Sequence, residues 1–105
     1  MSTGGFEKFA DVSEIPAGTI KVVKLGGAEV WVANIEGTLF AHPNKCTHAG
    51  GPVGKGKLNG TIIQCPWHGS KFDVRTGVVV GPPAQVQLPS YEVRVEGTAV
   101  WVKRA

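Results

Sequence analysis

The residues best suited to chemistry form two short pairs, each with one cysteine and one histidine. Cys46 and His48 make the first pair, and Cys65 and His68 make the second after sixteen intervening residues. Thiolate and imidazole groups in one set of four suit a borderline metal such as zinc or iron. The chain has only 2 cysteines, which excludes a small scaffold held together by several disulfides.

The order of the four side chains leaves more than one kind of site open. A common zinc finger places both cysteines before both histidines, whereas here each pair supplies one of each. If one iron binds the two cysteines and a second iron binds the two histidines, each loop must reach both irons, and this alternation permits that. A single zinc ion is also compatible with the order, as are a disulfide or two buried thiols.

Turn signals between β-prone segments predict how the two pairs are positioned. Gly26-Gly27, Glu36-Gly37, Asn59-Gly60 and Glu96-Gly97 are typical of two-residue hairpin turns. No segment has helical periodicity over three turns, and the 7 prolines work against long helices. The sequence therefore predicts an all-β sandwich or barrel with strands near 6–10, 19–25, 28–35, 38–41, 61–64, 71–74, 91–96 and 98–103.

Glycine and proline concentrate around the two pairs. Of the 15 glycines and 7 prolines, 8 and 5 lie in residues 42–83, together with both cysteines and all three histidines. We therefore expect one domain over 1–105. Its scaffold would comprise about 1–41 and 84–105, and a loop-rich insert of about 42–83 would bind the metal. Residues 42–58 are expected to form a long irregular loop.

The two pairs and their neighbours resemble the two cluster-binding boxes of Rieske [2Fe–2S] proteins. The first box matches over Cys46-Thr47-His48-Ala49-Gly50-Gly51, and the second from Cys65 to Gly77. Gly81-Pro82-Pro83 is similar to the family's proline-containing loop over the cluster. The resemblance implies a Rieske-like antiparallel β scaffold with a loop-rich cluster-binding subdomain, and one [2Fe–2S] cluster per chain. It also implies that Cys46 and Cys65 bind the inner iron and His48 and His68 the outer iron.

The resemblance further implies a shell of residues around the cluster. Phe72 stands where high-potential members have a tyrosine, so one hydroxyl donor to the cluster is missing, whereas Ser70 retains the other. We expect a reduction potential below the high end of the Rieske range of roughly −150 to +300 mV. Gly51 and Trp67 replace the cysteines of a bracing disulfide, and we expect Trp67 to shield the cluster there. The implied shell comprises Gly50, Gly51, Trp67, Gly69, Ser70, Phe72 and Pro82.

The function implied by the resemblance is one-electron transfer and not catalysis. Such a carrier passes electrons from a flavin-containing reductase to a terminal oxygenase or similar acceptor. A Rieske oxygenase needs a second site of two histidines and a carboxylate, and His42 is the only spare histidine. A zinc-stapled interaction module without redox function is one alternative, and a small subunit of a larger oxidoreductase is another.

Charge suggests what kind of surface a partner would present. Five basic residues and one acidic residue lie between 42 and 77, which favours steering toward an acidic docking surface. These are Lys45, Lys55, Lys57, Lys71 and Arg75, against Asp73. The net charge of +3 is too small to indicate nucleic-acid binding.

No segment resembles a signal peptide or a transmembrane helix. We therefore expect a cytoplasmic monomer without a membrane partner.

The remaining notable side chains have structural interpretations. His42 is expected in a loop, either solvated or bonded to the backbone. Asp73 and Arg75 are expected to form a local ion pair that braces the second loop. The scaffold core or its edge is expected to contain Trp31, Trp101, Phe6 and Phe9, and Val30-Trp31-Val32-Ala33 is expected to be buried on both faces.

Overall fold

In the part of the chain that the structure describes, ten short strands account for most of the backbone. The computed structural model describes residues 5–25, 27–44, 52–67, 69–82 and 87–103. Short 3₁₀ turns cover Val12–Glu14 and Val53–Lys55. The strands are β1 (Phe6–Asp11), β2 (Ile20–Leu25), β3 (Ala28–Ile35), β4 (Thr38–Pro43), β5 (Lys57–Asn59), β6 (Ile62–Gln64), β7 (Lys71–Asp73), β8 (Val79–Gly81), β9 (Glu92–Glu96) and β10 (Ala99–Lys103). The predicted all-β class is confirmed.

The strands form three antiparallel sheets. Sheet A has the order β1-β10-β9, sheet B the order β2-β3-β4, and sheet C the order β5-β6-β7-β8. A backbone bridge between Ala41 and Tyr91 connects sheets A and B. Within the ranges given above, no helix is long and apolar enough to cross a membrane.

Sheet C corrects the expectation for the insert. It lies entirely within 42–83, and the strands β5 and β8 were not predicted. The expected irregular loop over 42–58 is wrong at both ends, because β4 continues to Pro43 and the second 3₁₀ turn and β5 occupy 53–59. All four strands of sheet C have only three residues, and two of them, β6 and β7, agree with the predicted strands near 61–64 and 71–74. β5 follows Gly56 and β8 ends at Gly81 before Pro82, and glycine and proline are typical of turns, so these two segments resemble loop in sequence.

Hairpin turns occur near the predicted places in the described residues, and the turn at Glu36-Gly37 is confirmed at its predicted pair. Glu36 and Gly37 have φ angles of 53° and 95°, and two successive positive values are characteristic of a type I′ turn. β5 is linked to β6 by Gly60-Thr61, and β9 to β10 by Gly97-Thr98, because Asn59 and Glu96 are the last paired residues of their strands. These two turns therefore lie one residue later than predicted. Gly26 lies outside the described residues.

β3 is the centre of the packing because both of its faces are buried. Val30 and Val32 pack toward sheet A, and Trp31 and Ala33 pack toward sheet C. All four are 0% exposed, which confirms the prediction for this segment. Two cores result. The sheet A side contains Phe9, Ala10, Ile15, Leu25, Ala41, Val100 and Val102, and the sheet C side contains Val53, Ile63, Cys65, Phe72, Val74 and Leu88.

Candidate cluster-binding site

Cys65 lies at the end of β6, on the buried side of sheet C. Its side chain is 1% exposed and belongs to the same core as Ile63 and Phe72. Its amide donates a hydrogen bond of 2.7 Å to the carbonyl of Ser70, which closes the intervening residues into a tight loop. Gly69 has a φ of 79° within this loop. The first part of the second box, from Cys65 to Ser70, is therefore a loop with fixed ends.

The exposure changes sharply along this loop in a way that fits the predicted cluster. Cys65 is buried at its base, whereas Trp67 is 50% exposed. In a Rieske cluster the inner ligand is shielded from solvent and the outer ligand lies near solvent, so solvent exposure must rise along the loop. A cysteine suits the inner position and a histidine the outer one. The expected shielding by Trp67 involves at most half of its side chain, because the other half faces solvent.

The remaining site residues are only partly described. Cys46, His48 and His68 lie outside the described residues, as do Gly50 and Gly51. Their assignment stays a prediction. Ser70 and Phe72 are both 0% exposed beside Cys65, and Pro82 is exposed directly after β8.

Asn44 lies two residues before the first box, and its role was not predicted from the sequence. Its side-chain oxygen accepts a hydrogen bond of 2.6 Å from the amide of Gly54, and its amide nitrogen donates to Glu29 Oε1 at 3.1 Å. The backbone N–H of Asn44 donates to the Glu29 carbonyl at 2.9 Å. Asn44 thus connects the two ends of the segment that contains the first box. An asparagine shortly before a glycine-rich loop is the sequence signal that would have identified it.

Gly54 is a second residue with an unpredicted role. A Cβ atom at this position would lie 2.6 Å from the Cβ of Trp31. The Trp31 indole N–H donates to the Pro43 carbonyl at 3.1 Å, which fixes the ring. Only glycine therefore lets the end of the first loop pack on β3.

His42 differs from its expected place in a solvated loop. It lies on β4, is 1% exposed and pairs in register with Trp31. The ring centroids are 4.8 Å apart. Nδ1 lies 2.9 Å from the Pro89 carbonyl oxygen, and Nε2 lies 2.7 Å from that of Val74. The loop placement and the solvation are wrong, whereas the backbone bonding is confirmed.

A network after β7 stabilises the tail of the second box. Arg75 Nη2 lies 3.1 Å from Asp73 Oδ2, as the predicted ion pair requires. The Arg75 side chain, followed by its backbone N–H, lowers the pKa of the Asp73 carboxyl. Gly77 donates to the Asp73 carbonyl at 2.7 Å and accepts from the Leu88 N–H at 2.8 Å. The network therefore connects β7 with the chain that follows the proline loop.

Basic side chains line the exposed face of sheet C. Gln64 on β6 pairs in register with Lys57 on β5 and with Lys71 on β7, and all three side chains are exposed. We call these three residues the basic row. A surface depression of about 570 Å³ adjoins it, lined by Lys55, Gly56, Lys57, Gln64, Cys65, Pro66 and Gly69. The basic row thus begins at the loop that contains Cys65.

Comparison with known proteins agrees with this arrangement. The model of the Rieske [2Fe-2S] domain matches residues 6–92. The ferredoxin component of the naphthalene 1,2-dioxygenase/salicylate 5-hydroxylase systems of Ralstonia sp. is 35% identical, over 90% of both chains. The biphenyl dioxygenase ferredoxin subunit of Pseudomonas sp. (strain KKS102) is 37% identical, over 92% of this chain and 90% of that one.

A solved structure shows the same fold. A chain in the complex of reduced oxygenase and oxidized ferredoxin in carbazole 1,9a-dioxygenase has a TM-score of 0.88 and 33% identity, over 94% of this chain and 93% of that one. Such agreement in sequence and fold covers nearly the whole chain. The protein therefore belongs to the Rieske [2Fe–2S] domain family, with a cluster of that type as its cofactor and electron transfer, not catalysis, as its activity.

Proposed function

We propose that this protein is the ferredoxin component of a multi-component oxygenase. It accepts one electron from a flavin-containing reductase and delivers it to a terminal oxygenase. The observation that carries the proposal is the second loop, which runs from the buried Cys65 to the half-exposed Trp67 at the edge of a small β scaffold. The names of the relatives, which are ferredoxin components of dioxygenase systems, support the same role.

For the cluster we propose four ligands from the two boxes. Cys46 and Cys65 bind the inner iron, and His48 and His68 bind the outer iron. The burial of Cys65 at the base of its loop supports the inner position. The cluster supplies one reversible electron, while the protein residues fix its position and limit the access of water.

We propose that electrons leave near Trp67. This side chain directly precedes His68 in the sequence and is 50% exposed. A large exposed aromatic side chain is a common anchor in protein–protein contacts. A partner that covers Trp67 would approach the outer iron closely, which short-range electron transfer requires.

The basic row supports an acidic partner surface. Its two lysines project from the sheet that contains Cys65, and the only side chain between them in the register is the neutral Gln64. Steering by such charges accelerates brief encounters and weakens with added salt.

We also propose that the chain forms one domain over 1–105. Its scaffold comprises about 1–41 and 84–105, and its cluster-binding insert about 42–83. We propose in addition that the protein is a monomer and is located in the cytoplasm.

Metal analysis tests the cofactor first. Purified protein should contain two iron and two acid-labile sulfide per chain, and its red-brown colour should bleach with dithionite. A colourless protein with one zinc ion would instead support a zinc-stapled interaction module.

A ligand substitution tests the assignment of the outer iron. In the protein with iron and sulfide, replacing His48 with Cys should keep the colour but lower the reduction potential, because a thiolate adds negative charge to the cluster.

Electron delivery is tested with a purified terminal oxygenase from a naphthalene 1,2-dioxygenase system. Reduced protein is mixed with this oxygenase, and its re-oxidation is followed by absorbance at several salt concentrations. We expect rapid re-oxidation that slows as salt rises, with a weaker salt dependence in Lys57→Gln/Lys71→Gln. Lys8→Gln/Lys24→Gln removes the same charge from exposed positions on sheets A and B and is the matched control. Re-oxidation no faster than in buffer alone argues against the ferredoxin function.

A further inference from the structure

His42 is the one histidine that the predicted ligand set does not use, and it lies where three parts of the cluster-binding region meet. Its own strand, β4, leads into the first box. Its Nε2 faces the carbonyl of Val74, in the tail of the second box. Its Nδ1 faces the carbonyl of Pro89, in the segment that follows the proline loop. One imidazole ring therefore contacts all three segments.

The two contacts together constrain the protonation of the ring. A backbone carbonyl can only accept a hydrogen bond, and a neutral imidazole has only one N–H to donate. At 2.7 Å and 2.9 Å, both nitrogens are within hydrogen-bond distance of an oxygen. A neutral ring would point a lone pair at one of these oxygens and leave that contact unsatisfied in a buried site. A doubly protonated ring donates to both.

The surroundings of the ring are compatible with a positive charge. The neighbour on one side is the uncharged Trp31 ring, with 4.8 Å between the ring centroids and 39° between the ring planes. On the adjoining turn, Asp73 and Arg75 flank Val74 but are paired with each other at 3.1 Å. Residues 87–90 contain no titratable side chain, and Tyr91 is the next one along the chain. Both ring nitrogens thus face carbonyl oxygens, which carry partial negative charge.

We propose that His42 is a positioning residue for the cluster, and that it acts as an imidazolium whose two N–H groups join the first box to the second box and to the segment after the proline loop. The inference rests on the family's cofactor and does not depend on the identity of the redox partners. It assigns His42 two effects: the hydrogen bonds hold the three segments together, and the charge favours the reduced cluster, which is more negative than the oxidised one by one electron.

His42→Gln separates these effects from a purely structural role. Glutamine retains an N–H donor but loses the positive charge. We expect the variant to have a lower reduction potential than the wild type in a spectroscopic redox titration at neutral pH. We also expect it to release iron to a chelator faster, by about tenfold, the factor that corresponds to about 1.4 kcal/mol. Lys24→Gln, which removes one exposed positive charge from β2, is the control and should change neither quantity.

The outcomes are distinct. An unchanged reduction potential with faster iron release would overturn the assignment of His42 as an imidazolium. A neutral ring that only holds the segments together by hydrogen bonds would have no electrostatic effect on the cluster. An unchanged potential with unchanged release would overturn the whole proposal. If His42→Gln does not retain its cluster, ¹⁵N NMR of histidine-labelled wild-type protein decides: one buried ring with both nitrogens protonated at neutral pH supports the proposal, and a His42 ring with a single N–H refutes it.

Discussion

The side-chain oxygen of Asn44 and the backbone N–H of Gly54 are joined by a hydrogen bond of 2.6 Å. This bond connects the two ends of the nine-residue segment, 45–53, that contains the first box. Both residues are buried, at a point where the chain packs on β3. The first loop therefore starts and ends at fixed points, as does the second loop between Cys65 and Ser70.

Replacing Asn44 with Ala should lower the free energy of unfolding by about 1–3 kcal/mol, because the Gly54 amide then remains buried without its acceptor. Chemical denaturation measures this loss. Glu29→Gln is the matched control: it keeps an acceptor for the second hydrogen bond of Asn44 and leaves the bond to Gly54 intact. It should cost less than about 0.5 kcal/mol. Equal losses in the two variants would show that the bond to Gly54 is unimportant.

Gly77 and Gly18 form a matched pair for a test of close packing. Their φ angles are 81° and 80°, so alanine is strained to a similar degree at both positions. At Gly77 the added Cβ would also overlap the Leu88 carbonyl oxygen, whereas at Gly18 nothing lies within 4 Å. We expect Gly18→Ala to cost about 1–2 kcal/mol, and Gly77→Ala to cost about 1–3 kcal/mol more. Similar unfolding curves for the two variants would contradict the overlap.

The ion pair of Asp73 predicts a stability difference that depends on pH. Because Arg75 lowers the pKa of the Asp73 carboxyl, the folded state favours the ionised form. The resulting stability is fully present above the ordinary Asp value of about 4 and is lost as the pH falls through the lower folded value. Asp73→Asn should therefore be less stable than the wild type at pH 7, by about 1 kcal/mol, and the difference should shrink in acid.

Glu96→Gln is the control for that measurement. Glu96 pairs with Arg94 at 4.0 Å, and both side chains are more than half exposed. We expect no measurable change in stability at either pH, because exposed pairs at this distance contribute little. A difference for Asp73→Asn that persists unchanged down to pH 2 would point to packing instead of charge.

Phe72 allows a test of how the reduction potential is set. The side chain is 0% exposed and packs in the same core as Cys65. A hydroxyl added by Phe72→Tyr would supply a hydrogen-bond donor near the predicted cluster, and such donors raise the potentials of iron–sulfur clusters. We expect a higher potential in Phe72→Tyr than in the wild type, measured by redox titration. Phe72→Leu, which adds no hydroxyl, should not raise it.

The long strands and hairpin turns could be predicted from sequence because their signals are local. The β3 segment was identified by its continuous run of apolar residues, and the turn at Glu36-Gly37 by its need for positive φ angles. β5 and β8 were missed because each adjoins glycine, and β8 also precedes proline, so their sequences resemble loop, and pairing with β6 and β7 in sheet C decides their structure.

The site was predictable only where a motif identified it. The cysteine and histidine spacing predicts four ligands, of which only Cys65 lies within the described residues. Asp73 and Arg75 are close enough in sequence for their pairing to be expected. The roles of His42 and Gly54 depend on contacts with residues distant in the chain. The carbonyl partners of His42 are 32 and 47 residues away. No local pattern contains that information, so its burial could not be predicted.

The bond from the Cys65 amide to the Ser70 carbonyl has a consequence for engineering. Because both atoms belong to the backbone, the bond does not depend on the side chains between its ends. Pro66 and Trp67 are both exposed in that interval. Substitutions there can alter the surface that another protein meets while the anchor points of the loop stay unchanged. We therefore expect substitutions at positions 66 and 67 to change the surface offered to an acceptor without releasing the ends of the loop, and a library restricted to these two positions is the place to select for a new acceptor.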